Sequence, residues 1–112
     1  MIHVYLDDWR KPPASFTLAS TADECLLLLN ECDVDVLSLD YDLGWNAPNG
    51  FEVVRGMLLS GRFARRIYLH TSSDVGRRRM YEALYAGKPE HVELHNGPTP
   101  DELLLQLAKG RV

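Results

Sequence analysis

The chain has 112 residues, 46% of them hydrophobic and 25% charged, with a formal net charge of −4. This length suits one domain over residues 1–112, large enough to bury about two-thirds of its unfolded surface, and the acidity argues against a general nucleic-acid coat. No run approaches the ~18 apolar residues of a membrane span, and the start lacks the basic-then-apolar pattern of a signal peptide, so a cytoplasmic location is expected.

Ile2–Leu6 reads as a first strand that runs into an acidic pair, Asp7-Asp8. Trp9-Arg10-Lys11-Pro12-Pro13 follows, and its prolines forbid an ordinary helix there. Ser15–Ala19 alternates weakly, as suits an edge strand. Thr21-Ala22-Asp23-Glu24 is a capping box that opens a helix running through Leu26–Leu29 to about Glu31. Cys25 and Cys32 lie about two turns apart on it, too distant to bridge without distortion, so two reduced thiols are expected.

Asp35–Leu39 is the third strand. Rich in Leu and Val and without alternation, it reads as buried on both faces of a parallel sheet. It ends in Asp40-Tyr41-Asp42-Leu43-Gly44, two carboxylates spaced i, i+2 before a glycine turn. Asn49-Gly50-Phe51-Glu52 caps a second helix, which turns Val53, Val54, Met57 and Leu58 inward and stops at Gly61. Arg66–Leu69 is strand four, followed by His70-Thr71-Ser72. A helix then runs from Ser73 or Asp74 past Met80 and Leu84 to a glycine stop at Gly87. His91–His95 is a fifth, alternating strand. Thr99 as N-cap, Pro100 at the first helical position and Glu102 at the third open a last helix carrying Leu103, Leu104 and Leu107 before Gly110.

Strands alternating with helices predict an α/β, doubly wound, five-stranded parallel sheet. In the flavodoxin-like order 2-1-3-4-5, the proline loop replaces the first helix and the switch point falls between strands one and three. Ligands of open α/β sheets bind outside the carboxyl ends of the strands, which here carry Asp7-Asp8 and Asp40. Clustered carboxylates repel one another unless a cation compensates. Mg²⁺ (or Mn²⁺) suits that role, keeping several waters and using one or two carboxylates with phosphate oxygens. Asp7, Asp8 and Asp40 are the expected ligands, and Asp42 supports the metal or its waters. Arg10 is suited to clamp a phosphate bidentately. His70 is the side chain of this set that titrates near neutrality, as a general acid or base would. The helix after it offers backbone N–H groups near Ser72–Asp74 to an anion, with the Thr71 and Ser72 hydroxyls beside them.

Other features have blander readings. Arg77-Arg78-Arg79 suits a solvated helix face, although beside the site it would attract a polyanion. His91 and His95 alternate to one side of strand five, an unpromising metal pair. Trp9 and Trp45 flank the acidic loops, as packing or as platforms for a base.

An acidic pair after strand one and an aspartate after strand three resemble the receiver domain of two-component signalling over nearly the whole chain. Receivers place Ser/Thr after strand four and Lys-Pro after strand five; here stand His70 and His95-Asn96-Gly97-Pro98. Those departures resemble a narrower group, the cyclic-phosphate processing receiver domain. The matching fragments are Leu6-Asp7-Asp8-x-Arg10-x-Pro12, Leu37-Ser38-Leu39-Asp40-x-Asp42-Leu43-Gly44, and His70-Thr71 followed by Gly76 and Met80. That family commonly has Asn where this chain has Ser73.

The resemblance implies a metal-dependent activity on cyclic phosphates, with a phosphorylated small molecule, cyclic nucleotide or RNA end as substrate. The combined expectation is a metal-dependent phosphoesterase with Asp40 and His70 as catalytic residues. The rival is a signalling or partner-binding module without turnover, in which Asp40 accepts a phosphoryl group and a protein partner binds transiently. A Toprim-like nucleic-acid enzyme is a third candidate, but that site wants a glutamate at the end of strand one.

Overall fold

The computed structural model describes residues 1–110. Its sheet is parallel throughout, in the order β2-β1-β3-β4-β5. The strands are β1 (Ile2–Leu6), β2 (Phe16–Ala19), β3 (Val34–Leu39), β4 (Arg66–Leu69) and β5 (Glu93–Leu94). The helices are α1 (Ala22–Glu31), α2 (Gly50–Ser60), α3 (Asp74–Gly87) and α4 (Asp101–Ala108). The connection from β1 to β2 contains no helix, as its prolines require.

β3 is buried along its whole length because both faces of the central sheet are covered. On one face Val4, Leu6, Leu37, Leu39, Ile67 and Leu69 join a large core with Cys25 and Leu29 of α1, Val53, Val54 and Met57 of α2, and Met80 and Leu84 of α3. On the other, Val36 and Tyr68 pack against Leu107 and Leu103 of α4, with Phe16. Among the described residues no helix is long and apolar enough to cross a membrane.

The register positions the site. Leu6 pairs with Leu39 and Leu39 with Leu69, so three strands end level. The next residues, Asp7, Asp40 and His70, therefore emerge side by side at the carboxyl edge. Backbone bonds from Asp40 N to Leu6 O (3.1 Å) and from His70 N to Leu39 O (3.0 Å) extend the ladder by one residue. Since the three leucines point into the large core, alternation turns the side chains that follow toward the opposite face.

The capping signals are realised with small shifts. Thr21 Oγ1 accepts from Glu24 N, while Glu24 Oε1 accepts from the Ser20 N–H, one residue before the cap. Asn49 Oδ1 accepts from Phe51 N, and Gly61, at φ +76°, supplies the left-handed stop of α2. The free thiols of Cys25 and Cys32 are as expected, and burial pushes the Cys25 thiol up to about 12.

Three expectations are corrected. Gly87 lies inside α3; the helix stops at Lys88, extended at φ −70° and ψ 152°, because Pro89 follows and disfavours a helical residue before it. The turn closed by Val92 N and Pro89 O shortens the fifth strand to Glu93–Leu94. Pro100 is the N-cap of α4, with ψ at 146°, and makes no side-chain bond; the Thr99 hydroxyl is buried without a protein partner.

Candidate functional site

The carboxyl edge carries a compact polar cluster. Asp7, Asp40 and His70 each offer one potential ligand atom, all within 4.8 Å of one another. Asp7 and Asp40 are buried, at 1% and 6% exposure. Asp7 accepts four hydrogen bonds: Oδ1 from the Trp9 and Arg10 amides (3.0 and 2.9 Å), Oδ2 from Arg10 Nη1 and His70 Nε2 (2.9 Å each). A carboxylate has about four lone-pair positions, so this one is fully used. Burial alone would raise the Asp7 pKa, but these donors more than offset it and hold the group below the usual carboxylate range.

Asp40 is less engaged. Its Oδ1 accepts from the Tyr41 amide at 2.8 Å, and its Oδ2 lies 3.5 Å from Arg10 Nη1. Arg10 thus bridges the two carboxylates with a single nitrogen, and its bond to Asp7 raises its own pKa. Placing a fixed cation between two buried carboxylates removes their repulsion, the task assigned to a metal from the sequence.

His70 is held on three sides. Its ring stacks on Tyr5 at 4.2 Å and 4°, Nδ1 lies 2.6 Å from Ser38 Oγ, and Nε2 lies 2.9 Å from Asp7 Oδ2. Burial pushes its pKa below the ordinary histidine value, and the bond to Asp7 recovers only part of that. A neutral imidazole carries one N–H, and an ionised Asp7 can only accept. The proton therefore belongs on Nε2, and Nδ1 accepts from the Ser38 hydroxyl.

The remaining expected residues are near but outside this cluster. Asp8 is exposed; its Oδ2 reaches toward Gly44, where an added Cβ would lie 3.4 Å away. Asp42 is exposed and makes no side-chain bond among the described residues. Thr71 Oγ1 accepts from the Ser73 amide, which leaves its own O–H to donate, and Ser72 is exposed. Ser73 caps α3 by accepting from Gly76 N; asparagine is an equally good N-cap, so the Ser-for-Asn difference preserves that job. Arg79 stacks over Phe51 at 4.1 Å and donates to the Tyr41 hydroxyl, and Arg77 pairs with Asp74. His95 stacks on Tyr68, and His91 lies by a cleft of about 670 Å³ at the opposite edge of the sheet.

Sequence reasoning missed Tyr5 and Ser38 as parts of the site. Ser38 was detectable as a polar residue near the end of a largely apolar strand, two positions before Asp40 and so on its face. Tyr5 stands in the same relation to Asp7.

The profile of the cyclic-phosphate processing receiver domain matches residues 2–86. The chain belongs to that family. The matched span includes Asp7, Asp40 and His70, the three residues that converge in space. Solved structures show the same fold. The receiver domain of a Francisella response regulator is 17% identical, with TM-score 0.62, covering 94% of this chain and 91% of that one. The response regulator domain of Thermotoga maritima CheB is 18% identical, with TM-score 0.54, covering 97% and 89%. No curated protein matches the chain.

Proposed function

We propose that this receiver is a divalent-metal-dependent phosphoesterase that acts on cyclic phosphates, on a nucleotide or at an RNA end. The observation that carries the reading is the convergence of Asp7, Asp40 and His70 at the carboxyl edge, where their ligand atoms lie within 4.8 Å. The family's description points to the same chemistry.

The donor set fits a divalent ion. Asp40 has an oxygen held only by a 3.5 Å contact to Arg10, and Arg10 is the one cluster member with substantial side-chain exposure, at 38%. Once Arg10 turns away, the Oδ2 atoms of Asp7 and Asp40 would hold Mg²⁺ or Mn²⁺, with Asp8 and Asp42 within the same two loops to anchor its waters. Such an ion would polarise a phosphoryl oxygen or lower the pKa of a bound water. Arg10, once turned away from the carboxylates, presents its guanidinium to a phosphate at the same edge. Thr71 Oγ donates to a phosphate oxygen. To protonate a departing ribose oxygen, His70 acts as the imidazolium. It takes up a proton on Nδ1, where the Ser38 hydroxyl turns to accept, gives the Nε2 proton to the leaving oxygen and returns to the neutral ring. The Asp7 and Asp40 carboxylates beside it favour the charged form. General acid catalysis typically contributes ~10²–10⁴-fold.

Calorimetry with Mg²⁺ and Mn²⁺ tests the site, and chromatography of 2′,3′-cyclic nucleotides and cyclic-phosphate-ended RNAs tests the activity. Binding should be lost in Asp40→Asn, and His70→Ala should lower turnover with metal affinity nearly intact. Equal metal binding by wild type and Asp40→Asn removes Asp40 from the site; no turnover of any cyclic phosphate ends the enzyme reading.

The under-used oxygen of buried Asp40 also supports the signalling alternative, in which that carboxylate accepts a phosphoryl group. A long-lived phosphorylated species by intact mass after treatment with a small phosphodonor, absent in Asp40→Asn, would favour it.

A further inference from the structure

We infer that Trp9 and Trp45 form a base-stacking rim, and that the ligand of this edge is the end of a single-stranded RNA rather than a base-free phosphate ester. The inference rests on reading the carboxyl edge as a phosphate site and adds what holds the rest of the substrate. The chain has two tryptophans, and they are the most exposed of its large hydrophobic residues, at 81% and 96%. Burying such rings is strongly favourable, so two indoles left in water at one place need a partner.

Their positions on the two loops follow from the backbone. The Trp9 amide donates to Asp7 Oδ1, so the loop that bears the indole is tied to the buried carboxylate. Trp45 follows Gly44, whose φ of +109° favours glycine, and precedes Asn46 at φ +61°. The two loops approach each other where Asp8 Oδ2 faces Gly44. Trp9 and Trp45 each stand one residue beyond that approach, so both belong to the same rim. The Arg10 guanidinium lies 5.4 Å from the centre of the Trp9 ring, joining a cation to one of the aromatic faces.

Single-stranded nucleic acid is recognised by this combination of aromatic faces for bases and cations for the backbone. The cations next to the acidic edge are Arg10 and Arg79, the latter held against the Tyr41 hydroxyl one residue after Asp40. An apolar peptide would use the indoles but gain nothing from the adjoining phosphate chemistry. A base-free ester would use the chemistry and leave both rings in water.

Because both tryptophans stand on the rim, intrinsic emission reports on it directly. The experiment titrates the protein, with Mn²⁺ present, against short single-stranded RNAs ending in a 2′,3′-cyclic phosphate or a 3′-phosphate, and against an abasic oligonucleotide with the same ends. Stacking should quench the emission with bases present and not without them. Base–aromatic stacking is lost with an alanine, so Trp9→Ala and Trp45→Ala should each raise Kd about 5- to 150-fold. Trp9→Phe and Trp45→Phe should restore most of the affinity, and circular dichroism confirms that each variant is folded. Equal affinity for abasic and normal RNA, or unchanged affinity by calorimetry in the double alanine variant, which has no tryptophan emission, overturns the inference. So does a wild type with no RNA affinity, which leaves the rim to a protein partner. If turnover of small cyclic phosphates persists while RNA binding is absent, this inference falls and the phosphoesterase reading stands. Quenching by RNA without hydrolysis under any metal has the opposite outcome: the stacking rim stands and the phosphoesterase reading falls.

Discussion

A buried histidine that resists protonation makes the fold sensitive to acid, and the chain has two whose burial lowers their pKa. His3 Nδ1 accepts from the Val36 amide across a buried bulge at 3.4 Å, and burial lowers its pKa, with nearby Asp35 only partly opposing the shift. His70 Nδ1 accepts from Ser38, and burial lowers that pKa as well. A lowered histidine pKa means that the unfolded chain takes up the proton first. The stabilisation is present in full above the unfolded value near 6.5 and is lost as pH falls through the depressed folded values. Thermal melts should show a falling Tm below pH ~6.5, with a shallower fall in His3→Gln; an unchanged slope in that variant would mean that His3 does not contribute to it. Ser38→Ala tests the other histidine, since it leaves Nδ1 buried without a donor. A loss of about 1–3 kcal/mol in urea denaturation is expected, and no loss would mean that the ring has found another partner.

At the scale of elements, the glycines of α2 separate two causes of the same residue choice. A Cβ on Gly50 would lie 2.0 Å from the Asp40 carbonyl oxygen, a backbone atom that cannot step aside. A Cβ on Gly61 would meet nothing, but its φ of +76° strains any side chain. Gly61→Ala should therefore cost about 1–2 kcal/mol, whereas Gly50→Ala should cost about 3 kcal/mol or more and disturb Asp40. Equal costs in chemical denaturation would refute that distinction. Much of this level was legible in the sequence, because caps and buried runs are local signals: Thr21, Asn49, Ser73 and the unbroken apolar run of β3 each mark their element. The failures were tertiary. Gly87 looks like a stop, but it is there because Leu58 packs against it; a Cβ would sit 2.6 Å from the leucine Cδ2. In the site, Asp7 and Asp40 were legible as strand-end carboxylates. The bridging of both by Arg10, and the displacement of Asp8 and Asp42 to the rim, depend on side-chain geometry that spacing does not encode.

For the whole molecule, ligand binding should appear as stability. A metal that binds the folded state alone at a hundred times its Kd adds about 2.7 kcal/mol, a rise in Tm on the order of 10 °C for a domain of this size. Mn²⁺ should produce the shift in wild type and not in Asp40→Asn; equal shifts would place the ion elsewhere. Arg10→Ala should move two quantities in opposite directions, with tighter metal binding because a competitor is gone and slower turnover because a phosphate contact is gone. Parallel loss of both would show that Arg10 only supports the loop. The bridge from Arg10 to Asp7 and Asp40 amounts to a counter-ion carried on a short leash within the same loop. A tethered counter-ion has an effective concentration in about the millimolar range however dilute the protein, so the two buried carboxylates have compensation from within the chain. Were a metal to take the carboxylates, the displaced arginine would stay within reach with its charge unpaired, and occupation of the carboxylates and readiness to receive an anion would become one event.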